Sequence, residues 1–132
     1  MIPSGPILFD TSILIDCFAG DRRSLPLVEG ILEAGNPLIL TTLVLYEWLR
    51  GPRLPEELRN QEFFLPSSSA VPFESEDARL SAELYRLVKR ARGRDADIAI
   101  ATCTIRREAS LWTLNMKDFA DIPRLRLFQP TP

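Results

Sequence analysis

The amino-acid sequence predicts an α/β fold of three layers, in which a central, mainly parallel sheet carries helices on both faces. Short apolar segments typical of strands alternate with helical segments, and this alternation favours parallel strands joined by helices. The first strand candidate, residues 6–10 (PILFD), is apolar up to its last residue, as in strands buried on both faces. The 132 residues, 45% hydrophobic and 26% charged, fit one globular domain spanning residues 1–132.

In the first half of the chain, the predicted elements are bounded by residues that start or stop helices. Thr11 or Ser12 is expected to cap the first helix through its hydroxyl, and Gly35-Asn36-Pro37 and Gly51-Pro52 each end a helix. The elements are a strand over 6–10, helices over 11–18 and 23–34, a strand over 38–42, and helices over 43–50 and 55–63.

In the second half, Ser75 is expected to cap the longest helix, which carries small and apolar residues at helical spacing from Ala78 to Val88. The next helix is apolar almost all round, which predicts that it is buried. The elements are a strand over 70–73, helices over 75–92 and 95–108, and strands over 111–114 and 126–128.

Four aromatic and apolar residues receive specific expectations. Tyr46 and Leu49 are expected in the core, as is Trp112 in its short strand. Trp48 is turned about 100° from its neighbour on the helix and is expected to line a groove for a partner.

The chain contains no histidine, and this restricts its chemistry. Ser-His-Asp and Cys-His nucleophile systems, histidine-based acid–base catalysis and imidazole zinc sites are excluded. Cys17 and Cys103 lie in apolar segments and are expected to be buried thiols rather than a disulfide. Catalysis must therefore depend on carboxylates, hydroxyls, lysine or arginine, or a hard metal ion held by oxygen.

Charge and hydropathy bound the partners. The chain has 16 Lys+Arg and 18 Asp+Glu residues, which gives a formal charge of −2. Binding of a polyanion must therefore depend on a local patch of positive charge. The arginines Arg90, Arg92 and Arg94 form a candidate patch for phosphate, the alternative being a solvated face. The apolar runs are too short to span a membrane, and no leader pattern is evident. The two cysteines, expected as unpaired thiols, predict a reducing cytoplasm.

Four acidic residues fall at predicted strand ends or helix starts. They are Asp10, Glu47, Asp97 and Asp118. Since ligands of such folds bind at the carboxyl ends of the strands, we expect these side chains to converge there. Converging carboxylates repel one another unless a hard divalent cation such as Mg²⁺ or Mn²⁺ offsets their charge. Asp16, Asp21 and Asp121 are expected to be solvated or turn acids.

A Mg²⁺ ion held by carboxylates favours phosphoryl chemistry. The sequence has no GxxxxGK[ST] loop, which disfavours an NTPase, so hydrolysis of nucleic-acid phosphodiesters is the leading hypothesis. Each acid also has a simpler interpretation. Asp10 could cap a helix, Glu47 could be solvated, Asp97 could favour the helix dipole and Asp118 could serve a turn.

Four segments, in this order and spacing, resemble the PIN domain family, and within it the VapC ribonuclease toxins of type II toxin–antitoxin modules. They are FDTSILID (9–16), YEWLRG (46–51), DADIAIATC (95–103) and TLNMKDF (113–119). The resemblance runs from Ile7 to about Phe128. It implies that the first acid is Asp10, with the hydroxyls of Thr11 and Ser12 beside it.

The resemblance further implies that Glu47 is the second acid and Asp97 the third. Asp95 points about 200° away on the same helix, so only one of the two can face a metal. The fourth motif places Thr113, Asn115 and Asp118 at the site, with Leu114 where relatives have arginine. Asp118 is favoured for its charge, and whether it or Asn115 approaches the metal is left open.

The function implied by the resemblance is a Mg²⁺-dependent endoribonuclease, in which metal-activated water attacks the phosphorus and leaves a 5′-phosphate and a 3′-hydroxyl. Mn²⁺ is expected to substitute. The implied partners are an RNA substrate, a VapB-like antitoxin that covers the acids, and a second copy of the chain. Neither the RNA nor the number of metal ions follows from the residues. The alternatives are a non-catalytic PIN-like module that binds RNA or protein, and a carboxylate-metal phosphatase.

Overall fold

The computed structural model describes residues 5–130 and contains a parallel sheet of three strands in the order β2-β1-β3. The strands are β1 (Ile7–Phe9), β2 (Leu38–Ile39) and β3 (Ser110–Trp112). The helices are α1 (Thr11–Phe18), α2 (Leu25–Glu33), α3 (Thr42–Arg50), α4 (Pro55–Phe64), α5 (Ser75–Leu87) and α6 (Asp95–Arg106), with 3₁₀ turns at Ser67–Ser69 and Met116–Asp118.

The central strand β1 sets the layout of the molecule. Ile7 pairs with Leu38 on one side and Ser110 on the other, and Phe9 pairs with Trp112. All of β1 is buried, as its apolar sequence predicts. The β1–β2 and β2–β3 connections cross the sheet in opposite directions, so right-handed crossovers place their helices on opposite faces. The predicted three-layer α/β fold with a parallel sheet is confirmed.

Two further predicted strands are reduced to single bridges at the edges of the sheet. Val71 bridges Thr41, and Leu127 bridges Leu111, both in parallel orientation. The prolines beside them limit these strands, since Pro72 and Pro130 have no backbone N–H to extend a ladder.

The helix α5 differs from its prediction at both ends. Glu74, not Ser75, occupies the N-cap position, and its backbone N–H donates to Asp77 Oδ2 at 2.7 Å. The helix ends at Leu87 rather than residue 92. The chain turns there because Val88 is extended and Arg90 adopts a left-handed conformation with φ of 56°.

The buried face of α3 is opposite to the predicted one. Trp48 is fully buried and donates from Nε1 to Gln61 Oε1 at 3.1 Å, so its predicted place in a groove is wrong. Tyr46 and Leu49, predicted to be core, are 64% and 51% exposed. Val44 and Trp48, four residues apart, face the core together, which turns Tyr46 outward.

The cysteines and Trp112 match their predictions. Cys17 and Cys103 are buried, free thiols, and burial raises their pKa values to about 12 and about 11. Trp112 is 2% exposed and packs edge-on against Phe9 and Phe128. In the described residues, no helix has the length and apolar character needed to cross a membrane.

A buried ion-pair network joins α5 to α6. Asp77 is fully buried and accepts from Arg106 Nη1 at 2.8 Å and Arg107 Nη1 at 3.4 Å. Burial alone raises the pKa of Asp77, but the hydrogen bonds from the Glu74 backbone and from the two arginines outweigh it and hold the pKa below its usual value.

Replacing Asp77 by asparagine is expected to lower the free energy of unfolding at pH 7 by roughly 1–3 kcal/mol. Because the folded pKa is depressed, the carboxylate stabilises the fold above its unfolded pKa of about 3.9, and this contribution is lost as the pH falls through the folded pKa. Denaturant unfolding should therefore show that the free energy of unfolding decreases less between pH 7 and pH 2 in D77N than in wild type. The exposed neighbour Glu76→Gln is the control, and equal acid profiles for D77N and wild type would contradict the account.

Candidate active site

The candidate site lies at the carboxyl ends of β1 and β3, next to the point where the direction of the connections reverses. Asp10 follows β1 directly and Thr113 follows β3 directly. Because Phe9 and Trp112 are in register, and Asp10 N donates to Trp112 O at 2.9 Å, the pairing of the two strands brings Asp10 and Thr113 together.

Asp10 is held by two hydroxyls. Thr113 Oγ1 donates to Asp10 Oδ2 at 2.7 Å and Ser12 Oγ donates to the same oxygen at 3.0 Å. Each hydroxyl in turn accepts a backbone N–H, Thr113 from Asn115 and Ser12 from Leu114, both at 3.0 Å. The two hydroxyl oxygens also lie 3.2 Å apart, so Ser12, Thr113 and Asp10 form one hydrogen-bonded group around the carboxylate.

The simpler interpretation of Asp10, a helix cap, does not describe its side chain. Asp10 occupies the N-cap position of α1, but within residues 5–130 its carboxylate makes no capping hydrogen bond. The prediction that Thr11 or Ser12 caps α1 is also wrong, because both are inside the first turn and their hydroxyls bond to carboxylates. Asp10 is 5% exposed, so the surrounding residues restrict the orientation of its carboxylate.

Glu47 lies on α3 and is fixed from two sides. Thr11 Oγ1 donates to Glu47 Oε1 at 2.6 Å, and Arg50 Nη2 lies 3.8 Å from Oε2. The Glu47 side chain is 23% exposed. The hydroxyl pair that opens α1 thus serves two acids, Ser12 for Asp10 and Thr11 for Glu47.

Asp97 connects the four acids electrostatically. Burial raises its pKa most, and the charges of Asp10, Asp118 and Glu47 raise it further, while Arg94 lowers it. The four predicted acids therefore share one electrostatic environment. Asp95 is exposed and lines a separate cleft between α5 and α6 with residues such as Tyr85 and Arg86, in agreement with its opposite direction on the helix.

The segment after β3 carries Asn115 and Asp118. Both are exposed and line a shallow pocket with the side chains between them. Asp118 ends the 3₁₀ turn, and its charge acts on Asp97. Asn115 contributes a backbone N–H to Thr113.

The three arginines of the predicted phosphate patch differ from one another. Arg90 and Arg92 are exposed in the turn before α6. Arg94 instead donates to both carboxylate oxygens of Asp121, which holds the pKa of Asp121 below its usual value. The prediction of Asp121 as a solvated or turn acid misses this pair, and Asp16 likewise accepts a hydrogen bond from Ser24. No periodic signal links residues so far apart in the sequence.

The donors at the site fit a hard divalent cation. They are carboxylates, hydroxyls and one amide, all of which offer oxygen. In the part of the chain that the structure describes, no group of three or more acidic or cysteine side chains is close enough to hold a metal by itself. Mg²⁺ commonly takes one or two carboxylates and completes its shell with water and substrate phosphate. The arrangement therefore fits Mg²⁺ or Mn²⁺ bound by part of the cluster.

The family model described as "PIN domain" matches residues 7–125. The chain belongs to the PIN domain family. Among curated proteins it is similar to Ribonuclease VapC19 of Mycobacterium tuberculosis, with 31% identity over 122 residues that cover 90% of this chain and 96% of the relative.

Solved structures with the same PIN fold include several toxin–antitoxin complexes. VapBC from Salmonella typhimurium, bound to DNA, has a TM-score of 0.75 at 18% identity and covers 92% of this chain and 96% of its own. VapBC2 from Rickettsia felis, bound to a promoter fragment, has a TM-score of 0.71 at 22% identity with the same coverage. A toxin–antitoxin complex from Klebsiella pneumoniae has a TM-score of 0.68 at 29% identity and covers 90% of this chain and 94% of its own.

Replacing Asp97 by asparagine is expected to stabilise the metal-free protein at pH 7, with Tm rising by about 2–5 °C. The folded pKa of Asp97 is raised, so ionising this group at neutral pH costs stability, and the cost vanishes below the unfolded pKa of about 3.9. Thermal unfolding in EDTA at pH 7 and pH 3 measures the effect.

The matched control for Asp97→Asn is Asp95→Asn, which removes an exposed acid from the same helix turn. It corrects for the loss of a favourable charge near the helix start. If D97N gained no stability relative to D95N at pH 7, the four acids would not repel one another as described.

Proposed function

We propose that this protein is a Mg²⁺-dependent endoribonuclease of the VapC type, the toxin of a VapBC-type toxin–antitoxin module. The observation that carries the proposal is the Asp10 carboxylate, fixed by Ser12 and Thr113 at the end of the central strand and sharing its field with Glu47 and Asp97. Membership of the PIN domain family and the similarity to Ribonuclease VapC19 support it.

In this proposal, Asp10, Glu47, Asp97 and Asp118 would hold the cation. Bound Mg²⁺ would supply charge neutralisation at the scissile phosphate and a more acidic water. The Ser12 and Thr113 hydroxyls keep Asp10 oriented, and Thr11 keeps Glu47 oriented.

The reaction proposed is hydrolysis of an RNA phosphodiester. Water adds to the phosphorus in line, the bond from phosphorus to the 3′-oxygen breaks, and the proton released from water ends on that oxygen. The products are a 5′-phosphate and a 3′-hydroxyl. In this proposal, the exposed arginines Arg90 and Arg92 contact flanking phosphates, since the guanidinium fork matches phosphate oxygens.

A second candidate function is a non-catalytic module that binds RNA or protein through the same surface. It is favoured by one observation, that in residues 5–130 no three potential ligands are gathered closely enough to hold a metal. Metal binding without cleavage would select this function.

The Asp10→Asn variant is expected to lose at least about 100-fold in cleavage rate, because the replaced oxygen belongs to the cation site. RNA binding in EDTA should not fall below that of wild type, since the substitution removes a negative charge and therefore reduces repulsion of the RNA phosphates. Gel-based cleavage of a mixed RNA pool with Mg²⁺, beside filter binding in EDTA, measures both quantities. Asp21→Asn removes an exposed acid and is the control. Wild-type cleavage by D10N would contradict the proposal.

The Thr113→Val variant keeps the size of the side chain but removes the hydroxyl that donates to Asp10. We expect a 10- to 100-fold loss of Mn²⁺ affinity or activity, of the size seen when a group supporting a metal ligand is removed (about 10–100-fold). Thr113→Ser should restore most of it. Equal losses in the valine and serine variants would show that packing, not the hydroxyl, matters.

An antitoxin and a second copy of the chain are the proposed protein partners. Several similar structures are toxin–antitoxin complexes, which supports an antitoxin as partner. For the second copy we propose the face of α3 that is lined by Thr42, Leu45, Tyr46, Leu49 and Arg50, because Tyr46 and Leu49 are large and exposed there. Co-expression with the upstream neighbouring reading frame, which we expect to encode the antitoxin, should give a complex that contains two copies of this chain by light scattering and does not cleave RNA. If this chain stayed monomeric and did not bind the co-expressed protein, the toxin assignment would be contradicted.

A further inference from the structure

One side chain, Arg94, ties the turn before α6 to the turn that carries Asp118. Its Nη1 and Nη2 donate to the two carboxylate oxygens of Asp121 at 2.9 and 2.7 Å. Nη2 also donates to the backbone oxygen of Asp118 at 2.8 Å, and Nη1 to that of Lys89 at 3.3 Å. The Arg94 side chain is 20% exposed, so most of the side chain is shielded from solvent.

These bonds join two segments that each carry a predicted cation ligand. Arg94 precedes α6, and its backbone oxygen accepts from Ile98 N, next to Asp97. On the other side, Phe119 and Ile122 are 1% and 4% exposed and anchor the turn in the core. Arg94 therefore connects the start of α6, which carries Asp97, to the turn that carries Asp118.

We propose that Arg94 is a positioning residue for the divalent-cation site, holding Asp118 beside Asp97 through Asp121, and that it does not contact RNA. This rests on the proposed function. It separates Arg94 from Arg90 and Arg92, whose side chains stay exposed. The positive charge of Arg94 also opposes the mutual repulsion of the acids around Asp97.

The residue type matters for this role. The planar guanidinium makes two parallel bonds to Asp121 and still has an N–H for the Asp118 carbonyl. A lysine keeps the charge, but its single ammonium cannot reproduce that fork. Arg94→Lys therefore separates positioning from charge.

The decisive test compares Arg94→Ala, Arg94→Lys and Asp121→Asn by calorimetric titration of RNA-free protein with Mn²⁺. Positioning predicts that R94A and D121N both weaken Mn²⁺ binding about 10-fold or more, as loss of a group supporting metal ligands does. R94K should not restore it. The control is Arg79→Ala, which removes an exposed arginine from another ion pair. The lysine and asparagine variants keep the test valid if R94A fails to fold.

The alternative role for Arg94 is direct binding of RNA phosphate. Measuring RNA affinity in EDTA at several salt concentrations distinguishes this role from positioning. If Arg94 bound phosphate, R94A would weaken RNA binding and reduce the slope of log K against log salt by about 0.7–0.9. R94K would retain most of the affinity, and D121N, which frees the guanidinium, would bind RNA as well as wild type or better. That pattern overturns the proposal, whereas unchanged RNA affinity in all three variants supports it.

A double-mutant cycle shows whether Arg94 acts through Asp118. In an Asp118→Asn background, adding R94A should change Mn²⁺ affinity by less than twofold, because the ligand that Arg94 positions has been altered. Full additivity overturns the positioning role. Normal Mn²⁺ binding by wild type, R94A and D121N overturns this role alone, whereas a wild-type protein that binds no Mn²⁺ overturns the proposed function as well.

Discussion

The parallel pairing of β1 with β3 is the constraint on which the site depends. It places Phe9 opposite Trp112, so that the next residues, Asp10 and Thr113, meet at the carboxyl end of the sheet. The hydrogen bond from Thr113 to Asp10 and the backbone bond from Asp10 to Trp112 both follow from this register. A shift by one residue would turn every side chain of β1 to the other face and separate the two groups. Core packing and site geometry are therefore set by the same pairing.

Gathering the acids at one end of the sheet lowers the stability of the metal-free protein. Burial and three neighbouring carboxylates raise the pKa of Asp97, so its ionised form is disfavoured in the metal-free protein. The positive charge of Arg94 offsets part of that cost, and hydroxyls on α1 and directly after β3 hold Glu47 and Asp10. Within residues 5–130, no three carboxylates come into ligating contact. This is the arrangement expected of a site that stays folded when empty and gains stability when a cation binds.

Much of this could be predicted from the sequence, because the signals were local. The apolar run of β1 and the approximate positions of the helices followed from periodicity and turn residues, although the capping residues named for α1 and α5 were wrong. The choice of the four acids came from their places at strand ends and helix starts and from the resemblance to PIN domains. The face of α3 was predicted wrongly, since Tyr46, Trp48 and Leu49 are all large residues and contacts of Trp48 with distant partners such as Phe18 and Gln61 decide which of them is buried. The end of α5 and the pairing of Arg94 with Asp121 depend on contacts between distant segments, which leave no periodic trace in the sequence.

We propose that the four acids share a divalent cation. Anomalous scattering from crystals soaked in Mn²⁺ shows the metal position itself, so the result does not depend on activity. We expect a Mn²⁺ peak between Asp10, Glu47, Asp97 and Asp118, with one or two of them as direct oxygen ligands at about 2.1 Å and water completing the shell. A peak elsewhere, or none at a saturating Mn²⁺ concentration, would contradict it.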